Sequence, residues 1–265
     1  MLKFSTTVSG LIDRWFIKQP KFRRALTRLI VADRDLEVAL FGTSIQINSR
    51  KEHGYLRAFR KARSTSLLND EAGVIVSLAS ILEEGDTFVD VGANVGIFVA
   101  TLARARYVWP TTRFYAFEAN PDTYERLCKT VAGLNVDTFE LALSDHDGEL
   151  TFVEGAVSHV FTSVAHATTY NIPSATRKVR CARLDTIPIH GNSIILKIDV
   201  EGQEEEVLRG AETFFAKGRV KAVYLDGYNS QEVPRMLRDW GFTFYDGRSL
   251  KPLATPGFSL LALKH

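Results

Sequence analysis

From Thr87 onward the chain alternates strand-like and helix-like segments, and no other feature restricts its fold as much. Strand Thr87–Val91 leads to helix Val95–Arg106, and strand Arg113–Phe117 to helix Pro121–Ala132. Strand Thr138–Ala142 follows; then strand Ile194–Ile198 leads to helix Gln203–Phe214, and strand Val220–Leu225 to helix Gln231–Trp240. Apolar runs separated by amphipathic helices make parallel strands with crossover helices, because a parallel connection must carry the chain back to the starting edge. Asn120 as N-cap and Pro121 at the first helical position mark one helix start. Two last strand-like runs, Phe242–Asp246 and Phe258–Leu263, are joined by a turn-rich segment too short to suggest a helix, which makes them an antiparallel hairpin at the end of the sheet. The expected class is α/β, a doubly wound and mostly parallel sheet.

The alternation breaks between Ser144 and Pro188. Short strands Glu149–Val153 and Lys178–Leu184 flank a polar loop rich in Ser, Thr and His, the kind of irregular insert that often meets substrate. Residues 1–69 read as an extension and residues 70–265 as the main domain. The extension opens with basic amphipathic segments, Leu11, Ile12, Trp15 and Phe16 on one face and Phe22, Ala25, Leu26, Leu29 and Ile30 on another, separated at Pro20. Such faces need burial on their own domain or in a homo-oligomer, while their basic residues could also meet an anionic membrane. A hairpin through Gly42 is expected over Leu36–Ser49. Leu56–Leu68 is polar and mixed, without a clear period. A helix begins near Asp70, capped by Asn69 or Asp70, with Ile75, Leu78, Ala79 and Leu82 on one face and Gly85 at its end.

A 265-residue chain that is 45% hydrophobic has ample material for a core. A net charge of +2 predicts no general attraction to nucleic acid. Cys128 and Cys181 form no disulfide framework or zinc spacing. There is no bilayer-spanning apolar run and no signal peptide, so a soluble, cytoplasmic protein is expected.

The stretch TFVDVGANVG, Thr87 to Gly96, places a glycine-spaced turn where α/β sheets bind ligands, outside the carboxyl end of a strand. Gly92 and Gly96 permit close backbone approach, and the helix start offers free N–H groups. The dinucleotide fingerprint is not met, because Asn94 stands where its middle glycine would be. Asp90 would repel a phosphate and welcome a cation. S-adenosylmethionine carries a sulfonium and an ammonium and no phosphate. Glu118, ending the next strand, suits its ribose hydroxyls, and Ser144 with Asp145 after the third strand suits the adenine edge.

The segments FVDVGANVG, FYAFEANP, ALSDHDGEL, RLDTI and LKIDVEGQEEEVLRGAE resemble the FkbM family of S-adenosylmethionine-dependent methyltransferases. The resemblance implies a Rossmann-like, seven-stranded sheet with an antiparallel last strand. It also implies O-methylation of hydroxyls on small natural products or sugars. It covers the chain from about Asp70 to the end. After the fifth strand this sequence reads YLDGYN, where an acid-plus-histidine pair is more usual in the family.

Transfer to an alcohol requires alignment and removal of a proton. Asp199, ending the fourth strand in KIDVEG, is the first candidate base, with Lys197 on the same side of the strand and Glu201 in the following turn. The alternative is that these acids only cap the next helix, with Lys197 as their ion-pair partner. His159 is a rival base, and Tyr170, Tyr228 and Asn229 are candidate acceptor contacts. A divalent cation between Asp199 and Asp226 is a second mechanism, but a metal-free base is expected. A non-catalytic cofactor-binding scaffold and a nucleic-acid methyltransferase are the competing functions.

Overall fold

A computed structural model describes residues 32–61, 66–154, 161–163 and 175–264. The amphipathic segments before residue 32, together with His159 and Tyr170, lie outside the described residues.

The main sheet has seven strands: β3 (Thr87–Val91), β4 (Arg113–Glu118), β5 (Val136–Glu140), β10 (Ile194–Ile198), β11 (Val220–Leu225), β12 (Phe242–Asp246) and β13 (Leu260–Lys264). Their order is β12-β13-β11-β10-β3-β4-β5, and β13 runs antiparallel to both its neighbours. The C-terminal hairpin thus closes one edge as expected. Every residue of β3 and β10 is buried, as it must be in strands covered on both faces. One apolar cluster, with Phe88, Ile195 and Tyr224, lies on one face; another, with Val89, Leu196 and Val223, lies on the other.

The segment ahead of β3 does not stand apart. β1 (Asp35–Leu40) and β2 (Thr43–Asn48) form a hairpin whose turn residues Phe41 and Gly42 have φ of 50° and 74°. That is the type I′ geometry that matches strand twist. Its inward residues Val38, Leu40, Ile45 and Ile47 share a cluster with Phe88 and Ile195. Helix α1 (His53–Lys61) occupies the stretch without a legible period, and α2 (Ser66–Ile81) begins earlier than expected. Asn69 and Asp70 therefore lie inside α2 rather than capping it, and the 69/70 boundary falls within a helix. The packed apolar stripe of α2 carries the helix across the point where polar residues suggested a start.

Helices α3 (Ile97–Arg104) and α4 (Pro121–Thr130) follow β3 and β4, and Asn120 caps α4 by accepting from Asp122 N–H at 3.1 Å. After β5 the chain leaves the main sheet. β6 (Ala142–Leu143), β7 (Gly148–Glu154), β8 (Phe161–Ser163) and β9 (Ala175–Ala182) make a second sheet in the order β6-β9-β7-β8. The single helix expected over Gln203–Phe214 is two, α5 (Glu204–Gly210) and α6 (Glu212–Ala216), with the break at Ala211. A Cβ on Gly210 would lie 2.0 Å from the Ser144 carbonyl oxygen, so only glycine lets α5 pack there. Helix α7 (Glu232–Asp239) precedes β12.

Candidate active site

The turn after β3 is held by its neighbours. Gly92 and Ala93 N–H both donate to the Phe117 carbonyl, at 3.0 and 2.9 Å. Gly92 has φ of 71°, and a Cβ there would lie 1.9 Å from the Asp199 carbonyl oxygen. Glycine is demanded by the end of the adjacent strand as well as by φ. Asn94, also left-handed at φ 51°, points its N–H at Glu118 Oε2 (2.9 Å), and Asn120 N–H reaches Glu118 Oε1 (2.8 Å). Both carboxylate oxygens of Glu118 are thereby fixed while keeping lone pairs. Burial pushes its pKa up to about 7 against the two N–H donors and Lys197, which lower it.

Gly96 has φ of 84°, and a Cβ there would come within 2.5 Å of Leu127 Cδ1, so this glycine also seats α3 against α4.

A cleft opens at these strand ends, lined on one side by Gly92, Asn94 and Glu118, on a second by Leu141, Ala142, Leu143 and Phe152, and on a third by Asp199, Glu201 and Gln203. Ser144 and Asp145 are not among the lining residues. The chain turns into the second sheet at Ala142, which leaves Leu141–Leu143 at the mouth. Ser144 is 1% exposed, and exposed Asp145 pairs instead with His146 Nδ1 at 2.8 Å.

Beneath the cleft lies a buried ion pair. Asp90, Lys197 and Tyr224 are cross-strand partners in one row of β3, β10 and β11, so they share a face. Lys197 Nζ lies 3.0 Å from Asp90 Oδ1 and 3.7 Å from Asp199 Oδ2, and donates to the Gly92 carbonyl at 3.2 Å. Asp90 is fully buried and off the cleft lining, and the cation beside it in the fold is Lys197. Strand register turns Asp90 to the covered face. Burial alone would depress the Lys197 pKa, but the Asp90 and Asp199 carboxylates prevail and raise it. Lys197 is thereby held as a cation between the Asp90 and Asp199 carboxylates and the Gly92 carbonyl.

Asp199 is ringed by protein, yet its side chain is 38% exposed, as befits the floor of a cleft. Burial raises its pKa, Lys197 opposes this, and Asp226 and Asp90 add to the rise. Glu201 sits at φ 50° and is exposed at the cleft, where enclosure by the surrounding protein, then Asp199, Glu204 and Asp226, raise its pKa. Asp226 Oδ1 accepts from Tyr224 Oη at 3.1 Å. Among the described residues, no group of three or more His, Cys, Asp or Glu could hold a metal ion. Tyr228 packs against the cluster on the opposite face, and Asn229 is exposed.

Sequence reasoning missed one pair. Tyr55 Oη in α1 donates to Glu71 Oε1 in α2 at 3.2 Å. Burial pushes the Glu71 pKa up to about 8; Tyr55 and Lys197 oppose the rise, while Asp199 and Asp226 add to it. The legible signal was a glutamate in an apolar helical stripe, four residues before Ile75.

The cleft suits S-adenosylmethionine. Asn94 Oδ1 is buried with no hydrogen-bond partner among the described residues, an acceptor in need of a donor. Glu118 would take ribose hydroxyls, and Leu141–Leu143 with Phe152 would cover the adenine.

A family model described as the methyltransferase FkbM domain matches residues 90–244. The hexuronic acid methyltransferase AglP of Haloferax volcanii is 29% identical over 148 residues, 54% of this chain and 57% of the relative. The chain thus matches little more than half the length of that curated relative. Among solved structures, a TehB-like SAM-dependent methyltransferase from Corynebacterium glutamicum aligns over 82% of this chain and 98% of its own, at 10% identity and a TM-score of 0.44. Precorrin-6y C5,15-methyltransferase from Geobacter metallireducens aligns over 77% and 90%, at 16% identity and a TM-score of 0.39. The family match runs from Asp90 in β3 to Phe244 in β12, takes in more than half of the chain and includes Gly92, Glu118 and Asp199 of the cleft, so the chain belongs to the methyltransferase FkbM family.

Proposed function

We propose that the protein methylates a hydroxyl of a small polyhydroxylated acceptor, a sugar being the class its named relative supports. The observation that carries this reading is the pairing of two environments. A cleft with Glu118 fixed by two backbone N–H groups carries Asp199 and Glu201 in its lining, and Glu71 lies outside the lining but within electrostatic reach of Asp199. When bound, S-adenosylmethionine supplies a methyl group already activated by its sulfonium, so the protein must orient the acceptor and receive its proton. Carboxylates with raised pKa values are stronger bases, which suits taking the proton of an alcohol, whereas a carboxylate acceptor has no proton to give up. An ether is therefore the expected product. We place the reaction in the cytoplasm: both cysteines are free thiols, which suits a reducing compartment.

The test is methyl-labelled S-adenosylmethionine offered with a panel of neutral hexoses, hexuronic acids and hydroxylated polyketides. Label that stays on a sugar through mild alkali supports the reading. Label lost to alkali means an ester, and label on RNA or DNA instead means a different acceptor class.

A further inference from the structure

Helix α2 covers the Asp90–Lys197–Tyr224 face of the sheet. Val74, Ile75 and Leu78, with Leu82 just beyond its end, are buried in the cluster that holds Phe88, Ile195 and Tyr224. The stripe extends one turn further to position 71, where an apolar residue is expected and a glutamate stands. The direction of the helix fixes where that glutamate lies. Its C-terminal end turns directly into β3, so it sits at the amino edge of the sheet, and its N-terminal half lies over the carboxyl edge. An independent contact agrees: Asp70 pairs with Arg248 at 3.2 Å, and Gly73 packs on Arg248, in the turn that follows β12. Asp199 and Asp226 follow Lys197 and Tyr224 by two residues, so they emerge on the α2 side of the same edge. Tyr55 Oη holds Glu71 Oε1 at 3.2 Å, while Oε2 is buried and accepts no hydrogen bond among the described residues.

We propose that Glu71 is the catalytic base on the acceptor side of the site, its Oε2 meeting the hydroxyl of the acceptor, with Tyr55 as its positioning residue. The inference rests on the methyltransferase reading above. An O–H donor answers a buried carboxylate oxygen that the protein leaves unanswered. On transfer the hydroxyl proton passes to Oε2. The oxygen pair forms the new O–C bond, and the pair of the broken C–S bond returns to sulfur. Asp199 is less free for this task, because Lys197 already stands 3.7 Å away. The charged and titratable groups that act most on Glu71 are Tyr55 from α1, Lys197 from β10, and Asp199 and Asp226 just beyond the ends of β10 and β11. Burial dominates and holds its pKa at about 8, near the working range of a general base.

The experiment needs no acceptor. Carboxyl ¹³C resonances of glutamate-labelled full-length protein are titrated in complex with S-adenosylmethionine and with S-adenosylhomocysteine. Glu71 is assigned by its loss in Glu71→Gln, or in Glu71→Asp if the first variant does not fold. The two ligands differ by the sulfonium charge. Glu71 should titrate on the order of one pH unit lower beside the cation than beside the neutral thioether. Tyr55→Phe should move its titration upward in both complexes, because a donor to the carboxylate is lost. Identical titration of Glu71 in the two complexes overturns the proposal while leaving the methyltransferase reading intact. Failure of the wild-type protein to bind either ligand overturns both.

Discussion

The two sides of the site are built in different ways. On the donor side, backbone does the fixing. Glu118 is held by the N–H groups of Asn94 and Asn120, the Gly92 turn hangs from the Phe117 carbonyl, and the facing wall is apolar. On the proposed acceptor side, side chains from separate elements come within electrostatic reach of one another: Glu71 from α2, Asp199 and Asp226 just beyond β10 and β11, with Tyr55 from α1 and Lys197 between the two halves. The donor side lies within residues 90–244, whereas Tyr55 and Glu71 lie outside that match. A ligand fixed by backbone needs only a short local sequence. A ligand met by converging side chains needs the packing of distant elements, which is where such enzymes are free to differ in acceptor.

Lys197 joins the halves, so removing it should have the largest effect. Lys197→Met leaves Asp90 buried and unpaired, at an expected loss of about 3–5 kcal/mol in denaturant unfolding. Adding Asp90→Leu should recover much of that loss, because two apolar residues replace the pair. Recovery would assign Lys197 and Asp90 to structure, and lack of it would mean that Asp90 has work beyond the pair.

Glu71→Gln tests the proposed acceptor side. With an acceptor found by the labelling panel, kcat should fall about 100-fold or more, the usual worth of a general base. The wild-type rate should climb as pH rises toward 8, where Glu71 ionises.

A smaller effect tests the donor side. Glu118, proposed to accept ribose hydroxyls, would do so best when ionised, and burial pushes its pKa up to about 7. S-adenosylhomocysteine should therefore bind about tenfold more weakly at pH 6 than at pH 8 in calorimetry. Glu118→Gln should flatten that dependence.

A further effect concerns stability. Glu71 and Glu118 rise from 4.5 in the unfolded chain to about 8 and about 7 in the fold. The folded state binds these protons more tightly, so the contribution is full below pH 4.5 and lost as pH climbs to 8. Thermal scans of the free protein should show a midpoint lower at pH 8 than at pH 5.5, by on the order of ten degrees. Equal midpoints would mean that these carboxylates are better solvated than the fold implies.

Much of the sheet was legible because strands buried on both faces write themselves as unbroken apolar runs. Thr87–Val91, Ile194–Ile198 and Val220–Leu225 stand where periodicity placed them. Asn120–Pro121 marked its helix by chemistry that acts within a few residues. What failed needed distance. Register between β3 and β10 sets Asp90 opposite Lys197, and no single strand carries that fact. The exit into the second sheet moved the cleft wall from Ser144 and Asp145 to Leu141–Leu143. Helix α1, HGYLRAFRK, mixes its few apolar residues with charge, so Tyr55 gave no sign of pointing at Glu71.

The division into a backbone-fixed donor side and a side-chain acceptor side is tested most directly by calorimetry of S-adenosylhomocysteine against three proteins: wild type, Glu118→Ala and Glu71→Gln. The account predicts binding to wild type, affinity within about twofold for Glu71→Gln, and a loss of about 1.5–3 kcal/mol for Glu118→Ala, the worth of hydrogen bonds to a charged group. Wild-type affinity in Glu118→Ala, or an equal loss in Glu71→Gln, would contradict it.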